Sequence, residues 1–352
     1  MADVAAFRAV RYARPSPAVV APPYDVISPA QREQLMARDP HNIVHLTLAD
    51  SEEEAGARYR AWLDEGVLIT EDDPAAWVAV QDYVGPDGVA RRRTGLVASL
   101  RVEAYETGTV LPHERTHAGP KESRLRLLRA AQAQLEPIFL LYDGTPPVAV
   151  PAHDPDLQAE GTSLWRVSGD ELPAFFAKRQ LLIADGHHRY ETAVAYAAES
   201  GHDRMLVVLV STEDAGLEVF PTHRVFSGRP EIAPAGSTVP SLDAGLDLLA
   251  AQGYDRPAAL LLTADGIRLV HGEEGLLDVE LVDLFGHEGI SYTPDLEEAV
   301  KRVVSGGADC AFLLRPTRIE DVFTRARAGR VMPQKTTYFY PKLLSGLLIH
   351  PV

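Results

Sequence analysis

The stretch LLIADGHHRYETA, Leu181 to Ala193, joins an apolar run to an amphipathic pattern. Its first four residues are all apolar, which is typical of a strand buried on both faces. Gly186 follows Asp185 and allows the sharp turn that would end such a strand. Helical spacing of apolar residues begins at His187. The sequence therefore predicts a strand, a tight turn and a helix, with polar side chains gathered at the turn.

Four polar side chains would lie on this turn: Asp185, His187, His188 and Arg189. Free backbone N–H groups and the helix dipole favour an anion at a helix N-terminus. Histidine and arginine suit phosphate oxygens, whereas an acid suits a hard cation such as Mg²⁺. Four such groups within five residues are costly to bury without a role. The alternative is a buried histidine pair satisfied by hydrogen bonds, with Asp185 as the helix N-cap.

Composition narrows the class of protein. The chain has 352 residues, 46% hydrophobic and 24% charged, which is typical of a globular protein with two or three domains. A net charge of −16 disfavours binding to nucleic acid and to anionic membranes. A partner that carries phosphate must therefore be small and held in a local basic pocket. One cysteine, Cys310, excludes a disulfide framework. Without a signal-like or membrane-spanning apolar run, we expect a soluble cytoplasmic protein, and the sequence leaves a homodimer open.

Helix and strand patterns alternate irregularly along the chain. The sequence predicts a helix that starts at Ser28-Pro29 and a strand over Asn42 to Leu48. It predicts hairpin turns at Pro86 to Gly88 and at Asp265-Gly266. This pattern predicts a mixed α/β (α+β) protein rather than a regular doubly wound sheet. We divide it into an N-terminal α/β subdomain, a central domain and a C-terminal α/β subdomain, at 1–105, 106–228 and 229–352.

A second motif, HERTH at His113 to His117, matches the H-E-x-x-H pattern of zinc hydrolases. That chemistry needs both histidines on one face of a continuous helix. Pro112 and Pro120 flank the motif closely and disfavour such a helix. If the motif has a function, we expect a loop that carries Glu114 as a base or a cation ligand. If it has none, we expect a solvated polar loop.

Three further groups could bind an anion or a substrate. Lys121 and Arg124 share one face of a predicted helix, although such pairs are more often solvated. Thr222, His223 and Arg224 follow a predicted strand. Lys335 belongs to the segment MPQKTTYFYPKLLSGLL, Met332 to Leu348. This segment is as compatible with a tail that covers the core as with a loop that binds a ligand.

Seven ordered motifs resemble those of a prokaryotic family known as domain of unknown function 1015. The resemblance covers essentially the whole chain and implies no activity. The motifs are APPYDVI (Ala21 to Ile27), NIVHL (Asn42 to Leu46), HERT, KESRLRL, DGHHRYETA, PTHRVF and MPQKTTYFYPKLLSGL.

Two of these elements, HE and DGHHR, are also similar to motifs of the free-serine kinases, which have a ParB/sulfiredoxin-like fold. The resemblance implies such a fold for the central domain. It implies that Glu114 is the base on the substrate hydroxyl and Asp185 the magnesium-linked acid. It also implies that His187, His188 and Arg189 bind phosphate. This chain departs from the pattern by an extra hairpin between Tyr142 and Val167.

The leading hypothesis is a phosphotransferase that acts on free serine or a similar hydroxylated metabolite, with ATP or ADP as donor and Mg²⁺ as cofactor. Alternatives are a phosphatase for phosphoserine or a similar ester, a nucleotide-binding regulator without catalysis, and, less favoured, a zinc hydrolase. We expect Glu114 and the turn at Asp185 to line one cleft. The predicted roles are catalytic for Glu114, Asp185 and His187; phosphate- or nucleotide-binding for His188, Arg189, Lys121, Arg124, His223 and Arg224; and substrate-binding for His113, Thr222 and Lys335.

Overall fold

A computed structural model describes residues 1–114, 118–228 and 236–352. Contacts within the chain divide it into two compact units. Unit 1 comprises Met1–Pro112, Thr116–Leu217 and Pro341–Val352, and unit 2 comprises His113–Arg115 and Glu218–Tyr340. The three-part division predicted from the sequence remains a prediction, whereas the mixed α/β class is confirmed by the elements below.

Unit 1 carries helices and strands throughout its length. Its helices are α1 (Pro29–Arg38), α2 (Val44–Thr47), α3 (Glu52–Asp64), α4 (Ala118–Ala131), α5 (Leu172–Phe176) and α6 (His187–Ser200). Its strands are β1 (Val4–Ala5), β2 (Val10–Tyr12), β3 (Leu68–Thr70), β4 (Ala76–Val84), β5 (Ala90–Arg101), β6 (Val110–Leu111), β7 (Ala133–Gln134), β8 (Ile138–Tyr142), β9 (Leu157–Ala159), β10 (Thr162–Val167), β11 (Leu181–Asp185) and β12 (Arg204–Ser211).

Unit 2 follows along the chain. Its helices are α7 (Leu242–Ala250), α8 (Asp278–Asp283), α9 (Leu296–Val304) and α10 (Ile319–Arg327). Its strands are β13 (Glu218–Phe220), β14 (His223–Phe226), β15 (Gly236–Val239), β16 (Ala258–Thr263), β17 (Gly266–His271), β18 (Ile290–Thr293), β19 (Cys310–Leu313) and β20 (Tyr338–Tyr340). The last strand, β21 (His350–Pro351), pairs with β7 of unit 1.

Among the described residues, nine strands of unit 1 form one mixed sheet. Its order is β6-β11-β8-β12-β5-β4-β10-β9, and β1 pairs with β5. The pairs β11–β6 and β12–β8 are parallel, while β11–β8 and β12–β5 are antiparallel. The predicted hairpin appears as β4 and β5. This arrangement places the end of β11 beside β8, next to the sheet edge formed by β6.

The apolar runs of the central strands are explained by burial. One sheet face packs against α5 and α6, through residues such as Leu140, Ile183 and Val207 on the strands and Tyr190 on α6. The hydroxyl of Tyr190 donates to the carbonyl oxygen of Glu103 at 2.7 Å, which satisfies a buried polar group. These contacts fix α6, and with it the turn that begins the helix.

Unit 2 is built on a sheet of order β15-β17-β16-β19-β14-β18. Along β16, Ala258, Leu260 and Leu262 face one core with α7 and α9, because side chains alternate along a strand. Ala259 and Leu261 face a second core that contains α8 and the buried Cys310. The sheet is therefore covered on both faces, as its continuous apolar runs require.

The prediction of a strand over Asn42 to Leu48 is wrong, because Val44–Thr47 forms a short helix. The side chain of Asn42 donates to the carbonyl oxygens of Ala18 at 2.6 Å and Val20 at 3.0 Å. Its Oδ1 accepts from Val44 N at 3.0 Å, which starts the turn. A side-chain hydrogen bond therefore overrides the β propensity of the apolar residues.

In the part of the chain that the structure describes, no helix combines the length and apolarity needed to cross a membrane.

Helices α3 and α4 approach closely at Gly56, where a Cβ would lie 2.2 Å from the carbonyl oxygen of Ala130. Helix propensity alone would make Gly56→Ala stabilising by about 1 kcal/mol. We expect instead a loss of about 1–3 kcal/mol in the free energy of unfolding, because the backbone of α4 must shift. Urea unfolding followed by tryptophan fluorescence measures this in unit 1, which contains Trp62, Trp77 and Trp165.

The control is Ala57→Leu, an exposed position on the same helix. It adds more volume but should change the stability of unit 1 little. A Gly56→Ala variant at least as stable as the wild type would contradict this account of the α3–α4 contact.

Candidate functional site

The turn between β11 and α6 in unit 1 has the predicted strand–turn–helix form. β11 ends at Asp185 and α6 begins at His187. Gly186 has a φ of 98°, and a Cβ there would lie 2.6 Å from Cγ2 of Ile138, so only glycine fits. Gly186 is also the helix N-cap and provides no capping side chain. The alternative in which Asp185 is the N-cap is therefore wrong.

Asp185 lies between two cationic side chains. Nη2 of Arg189 donates to Oδ2 at 2.7 Å, and Nζ of Lys342 donates to Oδ1. All three side chains are largely buried, with exposed fractions of 15% for Asp185, 9% for Arg189 and 19% for Lys342. Burial alone would raise the pKa of Asp185, but the charges of Lys342 and Arg189 outweigh it and hold that pKa well below its usual range. The carboxyl group is therefore ionised at neutral pH.

Arg189 is held at a second point, since its Nη1 donates to the carbonyl oxygen of Pro137. Burial disfavours the charge of the guanidinium, but the carboxylates of Asp185 and Glu136 raise the pKa of Arg189. The planar guanidinium is therefore fixed and charged, as a phosphate ligand must be.

The two histidines lie on the first turn of α6. His187 is buried and His188 is half-buried. The charge of His187 lowers the pKa of Asp185, so the two groups are electrostatically coupled. The carbonyl oxygen of His188 accepts from Oγ1 of Thr192 at 2.8 Å, a contact within the helix. Asp185, His187, His188 and Arg189 are thus brought together as the spacing predicts.

Lys121 and Arg124 lie on α4, but they contact different groups. Nζ of Lys121 pairs with Oε2 of Glu191 at 2.7 Å. Nη1 of Arg124 donates to the carbonyl oxygen of Thr47 at 2.9 Å and lies 4.0 Å from Oε2 of Glu136. The predicted two-residue anion clamp is therefore not seen, because each cation faces its own acceptor.

A cavity of unit 1 includes Arg124 and Arg189 in its lining. Glu136 and Thr192 also line it, and Lys121 is not among its lining residues. The guanidinium of Arg124 stacks on Tyr24 with 4.1 Å between the guanidinium carbon and the ring centre. Of the two predicted anion ligands on α4, Arg124 is thus the one that lines a cavity together with Arg189.

A second cavity of unit 1 was not predicted from the sequence. It is lined by one face of β4, β5, β10 and β12 and by leucines of the C-terminal segment, which starts at Pro341. The buried Arg93 also lines it, and Nη2 of Arg93 donates to the carbonyl oxygen of Pro341 at 2.7 Å. Burial lowers the pKa of Arg93 to about 10. This contact ties the C-terminal segment to the sheet.

In unit 2, Glu114 holds a loop near the end of the chain. Its Oε1 accepts from Lys335 N at 2.6 Å, and Lys335 has a left-handed φ of 55°. Nε2 of His113, a fully buried residue, lies 3.0 Å from Oγ1 of Thr337 in the same loop. His113, Glu114 and Lys335 are thus brought together through this loop.

Thr222, His223 and Arg224 lie at the start of β14 in the same unit. Arg224 is 0% exposed; its Nη1 donates to the carbonyl oxygen of Thr222 and its Nη2 to those of Gln334 and Lys335, each at 3.2 Å. Nδ1 of His223 accepts from Leu314 N at 3.1 Å, so the proton of the neutral ring is on Nε2. Burial lowers the pKa of His223 to about 4, so it is a neutral donor rather than a cation at neutral pH.

The predicted site residues therefore fall in both units. Asp185 and its neighbours belong to unit 1, whereas Glu114 and the residues around Lys335 belong to unit 2. The expectation that Glu114 and Asp185 line one cleft, and the roles assigned to the site residues, remain predictions.

The zinc interpretation of HERTH gains no support from the described residues. Glu114 forms an isolated bridge with Met332, and helix α4 begins only at Ala118. Residues 115–117 of the motif, including His117, lie outside the described residues. Within the described ranges, no group of three or more His, Cys, Asp or Glu side chains is arranged to hold a metal ion.

The residues around Asp185 do not fit a divalent cation. Both carboxylate oxygens accept from cationic side chains, and the three groups together carry a formal charge of +1. A hard cation would have to displace one of these donors and would meet a net positive charge. The assignment of Mg²⁺ to Asp185 gains no support from this geometry, and no reaction step is derived through it.

The ion pair of Asp185 generates a prediction about stability and pH. Asp185→Asn leaves Arg189 and Lys342 as buried cations without the carboxylate, so we expect a loss of about 3 kcal/mol at neutral pH. Because the folded-state pKa is lowered, this stabilisation is complete above the unfolded pKa of about 3.9 and is lost progressively as pH falls from there through the folded-state pKa. Urea unfolding of unit 1 at pH 7 and below pH 4, followed by tryptophan fluorescence, tests this.

Asp203→Asn is the matched control, since Asp203 pairs with Arg101 at 2.7 Å on the exposed surface. It should change the stability of unit 1 by no more than about 1 kcal/mol. Equal effects of the two variants at pH 7, or an Asp185→Asn deficit that does not shrink as pH falls below about 3.9, would show that the buried pair does not stabilise unit 1.

The lowered pKa of His223 can be measured by NMR. We expect its ring signals to show a single protonation near pH 4, well below the ordinary histidine pKa of about 6.5. His223→Asn identifies the signal by its loss. Protonation of His223 near neutral pH would rule out a neutral ring that accepts from Leu314.

Three solved structures are similar to this chain at low identity. A free serine kinase in complex with AMP has 17% identity and a TM-score of 0.41, with coverage of 68% of this chain and 89% of that chain. A conserved hypothetical protein from Pyrococcus furiosus has 17% identity and a TM-score of 0.38, covering 68% and 92%. SbnI from Staphylococcus aureus, with a C-terminal truncation, has 13% identity and a TM-score of 0.42, covering 67% and 82%. These likenesses are too distant to carry an argument about activity.

No curated protein matches the chain. A family described as "Protein of unknown function (DUF1015)" matches residues 4–241, which is more than half of the sequence. This confirms the family resemblance, and six of the seven motifs lie within the matched residues; the motif that begins at Met332 lies outside them. The chain therefore belongs to the DUF1015 family.

Proposed function

We propose that the protein is a small-molecule phosphotransferase, which transfers a phosphoryl group from ATP or ADP to free serine or a similar hydroxylated metabolite. The observation that carries the proposal is the turn at Asp185 in unit 1. Two cationic side chains flank one carboxylate there, at the N-terminus of α6, whose N-cap provides no capping side chain. A helix N-terminus with excess positive charge is suited to a phosphate group.

The electrostatic conditions for such a reaction are local. The chain as a whole carries a net charge of −16, whereas the side chains at the turn carry an excess of positive charge. Phosphoryl transfer depends mainly on positioning and on cations that neutralise phosphate oxygens. Arg189 supplies a fixed guanidinium for this purpose, and Arg124 lines the same cavity of unit 1.

The assignment of the base rests on the motif resemblance. In the proposed reaction the acceptor hydroxyl oxygen bonds to the terminal phosphorus as the bond to the departing nucleotide breaks. The hydroxyl proton passes to the carboxylate of Glu114. Serine as acceptor and Mg²⁺ as cofactor rest on the same resemblance, as do the roles of His113, Thr222 and Lys335 in holding the substrate.

The test compares the wild type with Glu114→Gln. The amide keeps an oxygen that can accept from Lys335 N but cannot take the hydroxyl proton, so the loop of unit 2 should be preserved. We expect turnover of serine to phosphoserine to fall by about 100-fold or more, with the affinity for ADP unchanged. Phosphoserine is quantified by mass spectrometry after incubation with ATP or ADP, serine and Mg²⁺.

Glu288→Gln is the matched control, an exposed carboxylate of the same unit, and should keep full turnover. Full turnover in Glu114→Gln would show that another group is the base. A wild type that binds nucleotide but transfers phosphate to no hydroxylated amino acid would replace the proposal by the non-catalytic regulator. Release of phosphate from phosphoserine without any kinase activity would replace it by the phosphatase.

A further inference from the structure

Lys342 was not predicted as a site residue, yet it contacts the central acid of the turn. It lies in the C-terminal segment of unit 1, 157 residues after Asp185 in sequence. Its Nζ donates to Oδ1 of Asp185, the oxygen that Arg189 does not use. The Lys342 side chain is 19% exposed, so its ammonium is largely removed from water.

The C-terminal segment is anchored by contacts that do not involve the Lys342 ammonium. Arg93 donates to the carbonyl oxygen of Pro341 at 2.7 Å, and Ser345 Oγ donates to Oε1 of Glu136 at 3.0 Å. Backbone hydrogen bonds join Ser345 to Ala21 in both directions, at 2.8 and 3.2 Å. Four hydrogen bonds therefore hold the segment on unit 1 besides the ion pair, which leaves room for a further role of the ammonium.

The charge balance indicates that role. Asp185 and Arg189 form a neutral pair, so the addition of Lys342 leaves these three groups with a formal charge of +1. The buried carboxylate of Glu136 also acts on Arg189, but it lies 4.0 Å from Nη1 of Arg124, and this second pair leaves the count at +1. Excess charge away from water is costly unless an opposite charge is supplied. An anionic phosphate oxygen at the N-terminus of α6 would supply it and would also meet the positive end of the helix dipole.

We propose that Lys342 belongs to the phosphate-binding site of unit 1, and that Asp185 is a positioning residue that orients Lys342 and Arg189 toward the phosphate instead of binding Mg²⁺. This inference rests on the proposed function only in taking the turn at Asp185 as the place where phosphate binds. It assigns a function to the motif YPKLLSGL, whose lysine joins a site formed by DGHHR.

The test is the affinity of the full chain for ADP, measured by calorimetry in EDTA and again with Mg²⁺. We expect Lys342→Gln to weaken ADP binding about tenfold or more in EDTA, the usual effect of losing a charge-assisted contact. Lys342→Arg should restore most of the affinity because it keeps the charge. Lys178→Gln, an exposed lysine of the same unit, should have no effect.

The role of Asp185 is tested by a double-mutant cycle. If Asp185 acts through Lys342, Asp185→Asn changes ADP affinity in EDTA, and its effect is smaller when Lys342 is already glutamine. If Asp185 were a magnesium ligand, Asp185→Asn would change affinity only in the presence of Mg²⁺. Urea unfolding of each variant identifies those that are folded, and the Lys342 variants decide the matter if Asp185→Asn does not fold.

The failure of this inference can be told apart from that of the proposed function. Unchanged ADP affinity in a folded Lys342→Gln variant that still phosphorylates serine overturns the inference and leaves the function standing. ADP binding that depends on Lys342 in a protein that phosphorylates no acceptor overturns the function and leaves the inference. A loss of stability in Lys342→Gln with unchanged ADP affinity identifies a purely structural ion pair, and a wild type without ADP affinity also overturns the inference.

Discussion

The carboxylate of Asp185 connects three parts of unit 1 that are distant in sequence. It ends β11, pairs with Arg189 on the first turn of α6 and accepts from Lys342 of the C-terminal segment. In a largely buried setting, neither cation is stable without the carboxylate, because the cost of removing a charge from water must be offset by an opposite charge nearby. The position of α6 and the position of Lys342 are therefore coupled through one side chain.

The backbone around this carboxylate is equally constrained. Gly186 must be glycine both for its left-handed φ and because Ile138 occupies the space of a Cβ. The turn therefore brings the helix N-terminus directly against β8, where the carbonyl oxygen of Pro137 accepts from Arg189. A close approach of backbone and a fixed guanidinium are what a site for a small anion needs. In a chain with a net charge of −16, a phosphate site at this turn would depend on local geometry and charge, not on the field of the whole protein.

The local structure could be predicted from the sequence where it depends on neighbouring residues. The apolar run before Asp185, the glycine after it and the helical spacing from His187 were enough to place the turn correctly. The segment from Asn42 was wrongly predicted as a strand, because its apolar residues are compatible with a strand or a helix. The hydrogen bond from Val44 N to the side chain of Asn42 favours the helix. In both cases the outcome follows from contacts over a few residues.

Long-range pairing could not be predicted in the same way. Lys342 and Asp185 carry no shared spacing or periodicity, so only the fold reveals that they meet. Lys121 was grouped with Arg124 because they share a helix face, yet its partner Glu191 comes from α6. In unit 2, the guanidinium of Arg224 is likewise held by carbonyl groups that are distant in sequence, those of Gln334 and Lys335. The types of side chain at the site were evident from the motifs, whereas their partners were not.

The central claim is that the turn from Asp185 to Arg189 binds the phosphate of a nucleotide through its cations and the N-terminus of α6. The most direct measurement is an amide NMR titration of the isotope-labelled full chain with ADP in EDTA. We predict that the largest shift changes occur at His187, His188 and Arg189 and that they saturate without Mg²⁺. Changes confined to other segments, or changes at this turn that appear only when Mg²⁺ is added, would contradict the claim.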